Sequence, residues 1–380
     1  MKRIPVTSPA SVAVFRRILS HGPIGRTEIA RDTGLSAGAV TKAVTPLMHA
    51  GYVVEAPADP AHTSTGRPVR PLAVATDKTH VIGIKMTGDH VYGVLTDLAA
   101  NVLAQTEEER PSAEVADAVR TVTNVVDHLR SRTSATIAGV GVAVGGFVDR
   151  EAGVVREYAL LGWRDVPLAS LIEQEIGLPT VVENSVRALA INESLFGAGR
   201  DRRGFAVVTI GRGIGSGAVI EGQLLRGDHG VAGEIGHLPL ADAGIACLCG
   251  KFGCVEAVAS TSAIRARVRS EHQNPALTVE DCIRMAREGD GSAIRAFAEA
   301  GAVIGKAIAV LVDVLGPSRV VIAGESITAY ELYEKELISA FEHHVVGDPE
   351  DRIVALPAHT YFDWARGAAA CVVEVVASGT

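Results

Sequence analysis

The chain has 380 residues, 47% hydrophobic and 21% charged, enough for two or three globular domains with sizeable cores. The net charge of −8 is unevenly spread: residues 1–75 hold nine Lys and Arg against four Asp and Glu, a net +5, which leaves −13 for the remainder. A basic head on an acidic body fits a DNA-binding arm on a soluble sensor or enzyme. Aromatics at 4% beside 40 glycines weigh against an aromatic binding platform, and with no apolar run of membrane-spanning length and no leader-type start we expect a cytoplasmic protein with reduced cysteines.

Residues 10–50 read as three short helices. Val12, Val14, Phe15, Ile18 and Leu19 form the apolar face of the first, which His21-Gly22-Pro23 ends. The second runs from about Thr27 to Thr33, Gly34 makes the turn, and Ser36 is a suitable N-cap for the third. In that third helix Val40, Val44, Leu47 and Met48 recur at helical spacing and face the core, while Ala37, Gly38, Thr41, Lys42 and Thr45 form a small, polar face suited to a major groove. Strand-like runs at 52–55 and 72–74 flank a Pro-rich loop carrying Thr65-Gly66-Arg67-Pro68. Together these make a winged helix-turn-helix over 1–75, with Ser36, Ala37, Gly38, Thr41, Lys42 and Arg67 as candidate DNA contacts and Arg67 placed to reach a minor groove. A three-helix docking or dimerisation module is the plainer alternative.

From about His80 the pattern becomes α/β. Strands are expected at 81–84, 91–95, 140–144, 179–183, 206–210, 218–220 and 320–323. Helices are expected at about 113–131, 186–196, 279–289, 292–315, 329–344 and 364–377.

The run Gly211-Arg212-Gly213-Ile214-Gly215 follows a strand and leads into another. Alone it is either a phosphate loop or a tight hairpin. Further on, His237, Cys247, Cys249 and Cys254 supply one imidazole and three thiols among glycines, a set that suits tetrahedral Zn²⁺. Four protein ligands fill the shell, so the metal would be structural; unliganded cysteines are the alternative. Cys282 and Cys371 sit singly in helical patterns as core fillers.

These motifs in succession, G-x-G-x-G, then Ala232-Gly233-Glu234-Ile235-Gly236-His237, then C-x-C-G-x-x-G-C-x-E ending at Glu256, resemble the ROK family of repressors and sugar kinases. The resemblance covers essentially the whole chain, and a winged helix before a kinase-like body is similar to the branch that includes xylose and N-acetylglucosamine repressors. It implies an actin-like, hexokinase-type ATPase fold over 78–380. One lobe would hold about 78–185 with helix 364–378, the other about 186–360. Val140–Asp149 resembles the family's sugar-approach loop, although Gly145-Gly146-Phe147 stands where Pro-Gly-Pro is usual. The sugar ligands implied are Gly146, Asn184, Glu234, His237 and Glu256. Carboxylates and an amide suit sugar hydroxyls, and His237 would face metal with one nitrogen and sugar with the other.

Three departures weigh against catalysis. Where the family's catalytic Asp is expected, the run is Glu183-Asn184-Ser185, and a serine of ordinary pKa cannot take a proton from the attacking hydroxyl. The first phosphate loop reads Lys85-Met86-Thr87-Gly88 instead of an acid followed by paired glycines, and a later Gly-Gly is Gly324-Glu325. The expectation is therefore a DNA-binding, sugar-responsive regulator of carbohydrate metabolism, most simply a repressor. It would be a homodimer or homotetramer with structural zinc, operator DNA and a monosaccharide or derivative as partners, and no catalytic residues. An active sugar kinase with a DNA-binding arm, or a regulator controlled by a protein partner, are the alternatives.

Overall fold

The computed structural model describes residues 4–57, 70–347, 352–356 and 360–378. Three helices open the chain: α1 (Pro9–His21), α2 (Arg26–Thr33) and α3 (Ala37–His49). Ser8 caps α1 by accepting from the Ser11 amide, and Gly34 closes α2 in the left-handed conformation. Val14, Phe15, Ile18, Ile29, Val40, Val44 and Leu47 are all buried, so the apolar stripes of the three helices meet in one small core. β1 (Val53–Glu55) and β2 (Leu72–Val74) pair antiparallel, Val53 opposite Val74. Arg67 lies outside the described residues.

The first sheet contains β3 (Thr79–Met86), β4 (His90–Asp97), β5 (Val102–Glu109), β6 (Thr136–Val144) and, after the small antiparallel sheet β7 (Phe147–Asp149), β8 (Val154–Tyr158) and β9 (Trp163–Val166), the strand β10 (Thr180–Asn184). α4 (Val115–Arg130) precedes β6, α5 (Leu168–Ile176) precedes β10, and α6 (Ser185–Phe196) follows it. The order is β10-β6-β3-β4-β5, with β3–β5 an antiparallel meander and β6 and β10 added in parallel. Val122, Val125, Val126 and Leu129 of α4 pack on Ile82, Ile84, Val140 and Val142.

A second sheet repeats this plan with β11 (Phe205–Ile210), β12 (Ile214–Ile220), β13 (Gln223–Leu224), β14 (Val320–Ala323) and β15 (Ile353–Ala355) in the order β13-β12-β11-β14-β15. Again three antiparallel strands are followed by two parallel ones. Its helices are α7 (Glu256–Ala259), α8 (Thr261–His272), α9 (Val279–Arg287), α10 (Gly291–Leu315) and α11 (Glu334–His344). Phe297, Ile304 and Ile308 of α10 pack with Val208, Ile210, Val320 and Ile322.

The final helix, α12 (Tyr361–Ser378), returns to the first sheet. Gly83 and Gly141 lie directly beneath it: a Cβ at Gly83 would stand 2.0 Å from the Ala365 carbonyl oxygen, and one at Gly141 1.9 Å from that of Ala368. Only glycine permits backbone contact this close.

The chain divides into two compact units, 1–200 with 362–380, and 201–361. α6, expected at the start of the second lobe, belongs to the first unit. Its Arg187 is buried against Glu183 of β10, and Arg200 beyond its end donates to the Ser20 carbonyl of α1. The helix expected over 329–344 starts at Glu334. Residues 325–332 form 3₁₀ turns instead, held by the Tyr333 hydroxyl donating to the Ser326 carbonyl. β5 was not legible because it is a half-exposed edge strand rich in Glu, Gln and Ala. Among the described residues no helix is long and apolar enough to cross a membrane.

Candidate functional site

His237, Cys247, Cys249 and Cys254 converge in the second unit with all four ligand atoms within 4.8 Å of one another. Cys249 Sγ lies 3.7 Å from Cys254 Sγ, and Cys247 Sγ 3.8 Å from His237 Nδ1. Thiolates about 2.3 Å from a tetrahedral zinc stand about 3.8 Å apart, so the donor set and spacing fit. Burial pushes the Cys254 thiol up to about 12 and raises that of Cys247. Burial also acts to raise Cys249 but is outweighed by the Lys251 backbone and the neighbouring thiols, and its pKa is lowered. A divalent cation in this group would stabilise the thiolates that burial otherwise disfavours.

The other imidazole nitrogen, His237 Nε2, lies 4.0 Å from Glu234 Oε2. His237 thus stands between the thiol cluster and the Glu234 carboxylate. The glycines of this motif set the geometry. Gly233, at φ +93°, passes so close to β12 that a Cβ would lie 2.1 Å from the Ser216 carbonyl oxygen, and one at Gly236 would lie 2.1 Å from that of Ile214. The Ser216 hydroxyl and amide both donate to the Gly233 carbonyl, fixing the turn that presents Glu234. Glu256 opens α7 and accepts from the Ile214 amide at 3.0 Å, so Glu234, His237 and Glu256 all border the start of β12.

In the first unit the structure brings together Gly146 and Asn184. Asn184 Nδ2 donates to the Gly146 carbonyl at 2.9 Å, while its Oδ1 accepts from the Val186 and Arg187 amides as the N-cap of α6. Asn184 is therefore first a brace between loop and helix, with one amide hydrogen left for a ligand. Gly146 sits at φ +80°, where a Cβ would be 2.1 Å from the Glu157 carbonyl oxygen.

Ser185, at the position of the expected catalytic acid, is buried and accepts a hydrogen bond from Lys85 Nζ at 2.5 Å. The same ammonium lies 5.0 Å from the centre of the Trp364 ring. The two departures noted separately in the sequence thus form one contact. Sequence reasoning missed the network beneath it. Glu183 Oε1 accepts from Arg187 Nε at 2.7 Å and from the Asn184 amide at 2.8 Å, and Glu183 Oε2 from Arg150 at 3.3 Å. Arg150 also pairs with Glu374 of α12 at 2.9 Å, and Arg187 Nη2 donates to the Val148 carbonyl. The four-residue spacing of Glu183 and Arg187 was a readable signal; the partners 150 and 374 were not.

In the head, Ser36 caps α3 by accepting from the Ala39 amide. Ala37, Gly38, Thr41, Lys42 and Thr45 are exposed, and a Cβ at Gly38 would meet nothing within 4 Å. The Thr41 and Thr45 hydroxyls donate back to the carbonyls of Ala37 and Thr41. The outward face of α3 is thus smooth, small and polar, as its spacing predicts.

A winged helix-turn-helix head and two sheets of one repeated topology, the second beside a glycine hairpin and a His-Cys₃ cluster, define the class: an actin-like, hexokinase-type body carrying a DNA-binding-type head. The ROK family model matches residues 81–375, and the chain belongs to the ROK family. The N-acetylglucosamine repressor of Shigella flexneri is 29% identical over 344 residues, covering 87% of this chain and 83% of the relative. A glucokinase of Halalkalibacterium halodurans is 32% identical over 245 residues, covering 59% of this chain and 74% of the relative. A crystal structure described as a ROK family transcriptional regulator, homolog of the Escherichia coli MLC protein, matches with a TM-score of 0.82 at 24% identity, covering 97% of this chain and 96% of its own. At that identity the likeness speaks for the fold.

Proposed function

We propose that this chain is a DNA-binding transcriptional regulator of carbohydrate metabolism, most simply a cytoplasmic repressor, whose kinase-like body senses a sugar and no longer phosphorylates it. The observation that carries the reading is the buried Lys85–Ser185 contact: a hydroxyl held by an ammonium stands where a proton acceptor is required. The exposed face of α3, with Ser36, Ala37, Gly38, Thr41 and Lys42, would enter the major groove, and Arg67 the adjacent minor groove. Gly146, Asn184, Glu234, His237 and Glu256 would take the sugar hydroxyls. Zn²⁺ on His237, Cys247, Cys249 and Cys254 would be structural, fixing the orientation of His237. A homodimer or homotetramer would match a two-fold operator. An effector that switches the regulator nearly completely must favour one state by about 5.5 kcal/mol.

The test is fluorescence anisotropy of the full-length protein on DNA upstream of its own gene, titrated with a monosaccharide panel. Release by one sugar is expected. Arg67→Ala should weaken DNA binding, and Glu234→Ala should abolish the sugar response. Unchanged affinity in the first, or a full response in the second, refutes the respective assignment. The identity to a glucokinase favours a second reading, an ATP-dependent sugar kinase with a DNA-binding arm. Phosphate transfer from ATP to a hexose, lost on mutating Asn184 or Glu234, would establish it.

A further inference from the structure

The glycine-rich hairpin between β11 and β12, Gly211-Arg212-Gly213-Ile214-Gly215, is of the kind whose backbone amides can hold an anion. In this chain two carboxylates already stand there. Glu325 Oε1 accepts from the Arg212 amide at 2.9 Å, and Glu256 Oε2 accepts from the Ile214 amide at 3.0 Å. The carboxylates press on the glycines themselves. A Cβ at Gly211 would lie 2.2 Å from the Glu325 carboxyl carbon, and one at Gly213 2.9 Å from Glu256 Oε2.

The position of Glu325 is imposed by its backbone. Gly324, at φ +106°, is so close to the end of β11 that a Cβ would stand 2.5 Å from the Ile210 carbonyl oxygen. β14 therefore turns immediately over the hairpin, and the next residue has to project onto it. A glutamate there reaches the Arg212 amide across 113 residues of sequence.

We propose that Glu325 closes this hairpin to the phosphates of a nucleotide, and that it does so independently of Ser185. The proposal rests on the reading that the body is not a kinase and deepens it: the lost property is nucleotide binding itself, and one side chain enforces it. A phosphate on the hairpin would need the Arg212 amide that Glu325 holds and would approach a carboxylate of like charge. Two such charges about 4 Å apart at an effective dielectric of about 20 repel enough to lower affinity about a thousandfold, and screening at this half-buried position reduces that to about ten- to a hundredfold. Glu256 is held by the start of α7 and touches the other end of the turn, so removing Glu325 alone opens the Gly211–Arg212 side.

The experiment is a titration of the full-length protein with Mg²⁺ and mant-ATP, followed by mant fluorescence, on the wild type, Glu325→Gly and Glu325→Gln. The wild type should show no saturation up to about 1 mM, and Glu325→Gly should bind at least about tenfold more tightly. Glu325→Gln, which keeps an acceptor for the Arg212 amide but loses the charge, should fall between them and serves if the glycine variant folds poorly. Magnesium tripolyphosphate should compete with mant-ATP on Glu325→Gly, since the barrier lies at the phosphates. Saturation of the wild type as tight as that of the variants, no gain in either variant, or no competition by tripolyphosphate overturns the proposal. DNA anisotropy on the same preparations separates the two readings: a wild type that ignores its upstream DNA removes the regulator and leaves the nucleotide result standing.

Discussion

Replacing Glu183 should damage the first unit more than replacing either arginine that it holds. Glu183 is 1% exposed, as is Arg187, and its carboxylate accepts from Arg187, Arg150 and the Asn184 amide together. Breaking a buried ion pair from one side typically costs about 3–5 kcal/mol, because the partner stays buried with its charge. Glu183→Gln deprives two guanidiniums of their shared carboxylate and turns an amide NH₂ toward one of them, so it should lie at the upper end, about 5 kcal/mol. Arg187→Met leaves Glu183 paired with Arg150 and should cost about 3 kcal/mol. Arg150→Met leaves the Glu183–Arg187 pair intact, and the released Glu374 is partly exposed, so its cost should be the smallest, about 1–2 kcal/mol. At about 2–4 °C per kcal/mol for a unit of this size, calorimetry should show the unfolding transition that includes this unit falling by about 10–20 °C, 6–12 °C and 2–8 °C respectively. The order is the test. If Arg187→Met equals or exceeds Glu183→Gln, or all three shift by less than a degree, the carboxylate is not the hub.

Without a metal on the His-Cys₃ set, Cys254 should stand as a thiol at neutral pH, since burial pushes its pKa up to about 12. If zinc binds there it must displace that proton, so zinc affinity measured by competition with a chromophoric chelator should rise with pH; a flat profile would remove the Cys254 thiolate from the ligand set. In the metal-free protein the raised Cys254 pKa favours the folded state below the ordinary thiol value of 9.0, and that contribution is lost as pH climbs from there toward 12, which a pH series of thermal melts would detect. Gly141→Ala forces a methyl to 1.9 Å from the Ala368 carbonyl and should lower stability by more than about 3 kcal/mol, read by denaturant titration; a cost below about 1 kcal/mol would mean that α12 shifts freely. Ser185→Asp should not produce a kinase: its carboxylate would be neutralised by Lys85, and the hairpin would still hold Glu325. Turnover of ATP with a hexose by that variant would contradict both points.

Local features of this protein were legible because they depend on near neighbours. Helical spacing placed Val40, Val44 and Leu47 inward and Thr41 and Lys42 outward, since a helix of period 3.6 leaves little choice once one face must be buried. The His-Cys₃ set was readable because its ligands lie within 18 residues and glycines let the chain fold around a centre. That a serine of ordinary pKa at 185 is a poor proton acceptor was readable from residue chemistry alone. What tertiary structure decided was how distant residues meet. Ser185 finds Lys85 across 100 residues, Arg150 finds Glu374 of the last helix, and Glu325 reaches the hairpin at Arg212. α6 joined the first unit because Arg187 is buried on Glu183, where helical pattern alone gave it no side to prefer. Pattern in a sequence reports which side of an element is buried; which element covers it, and which charge waits there, is set by packing between segments that the pattern treats as independent.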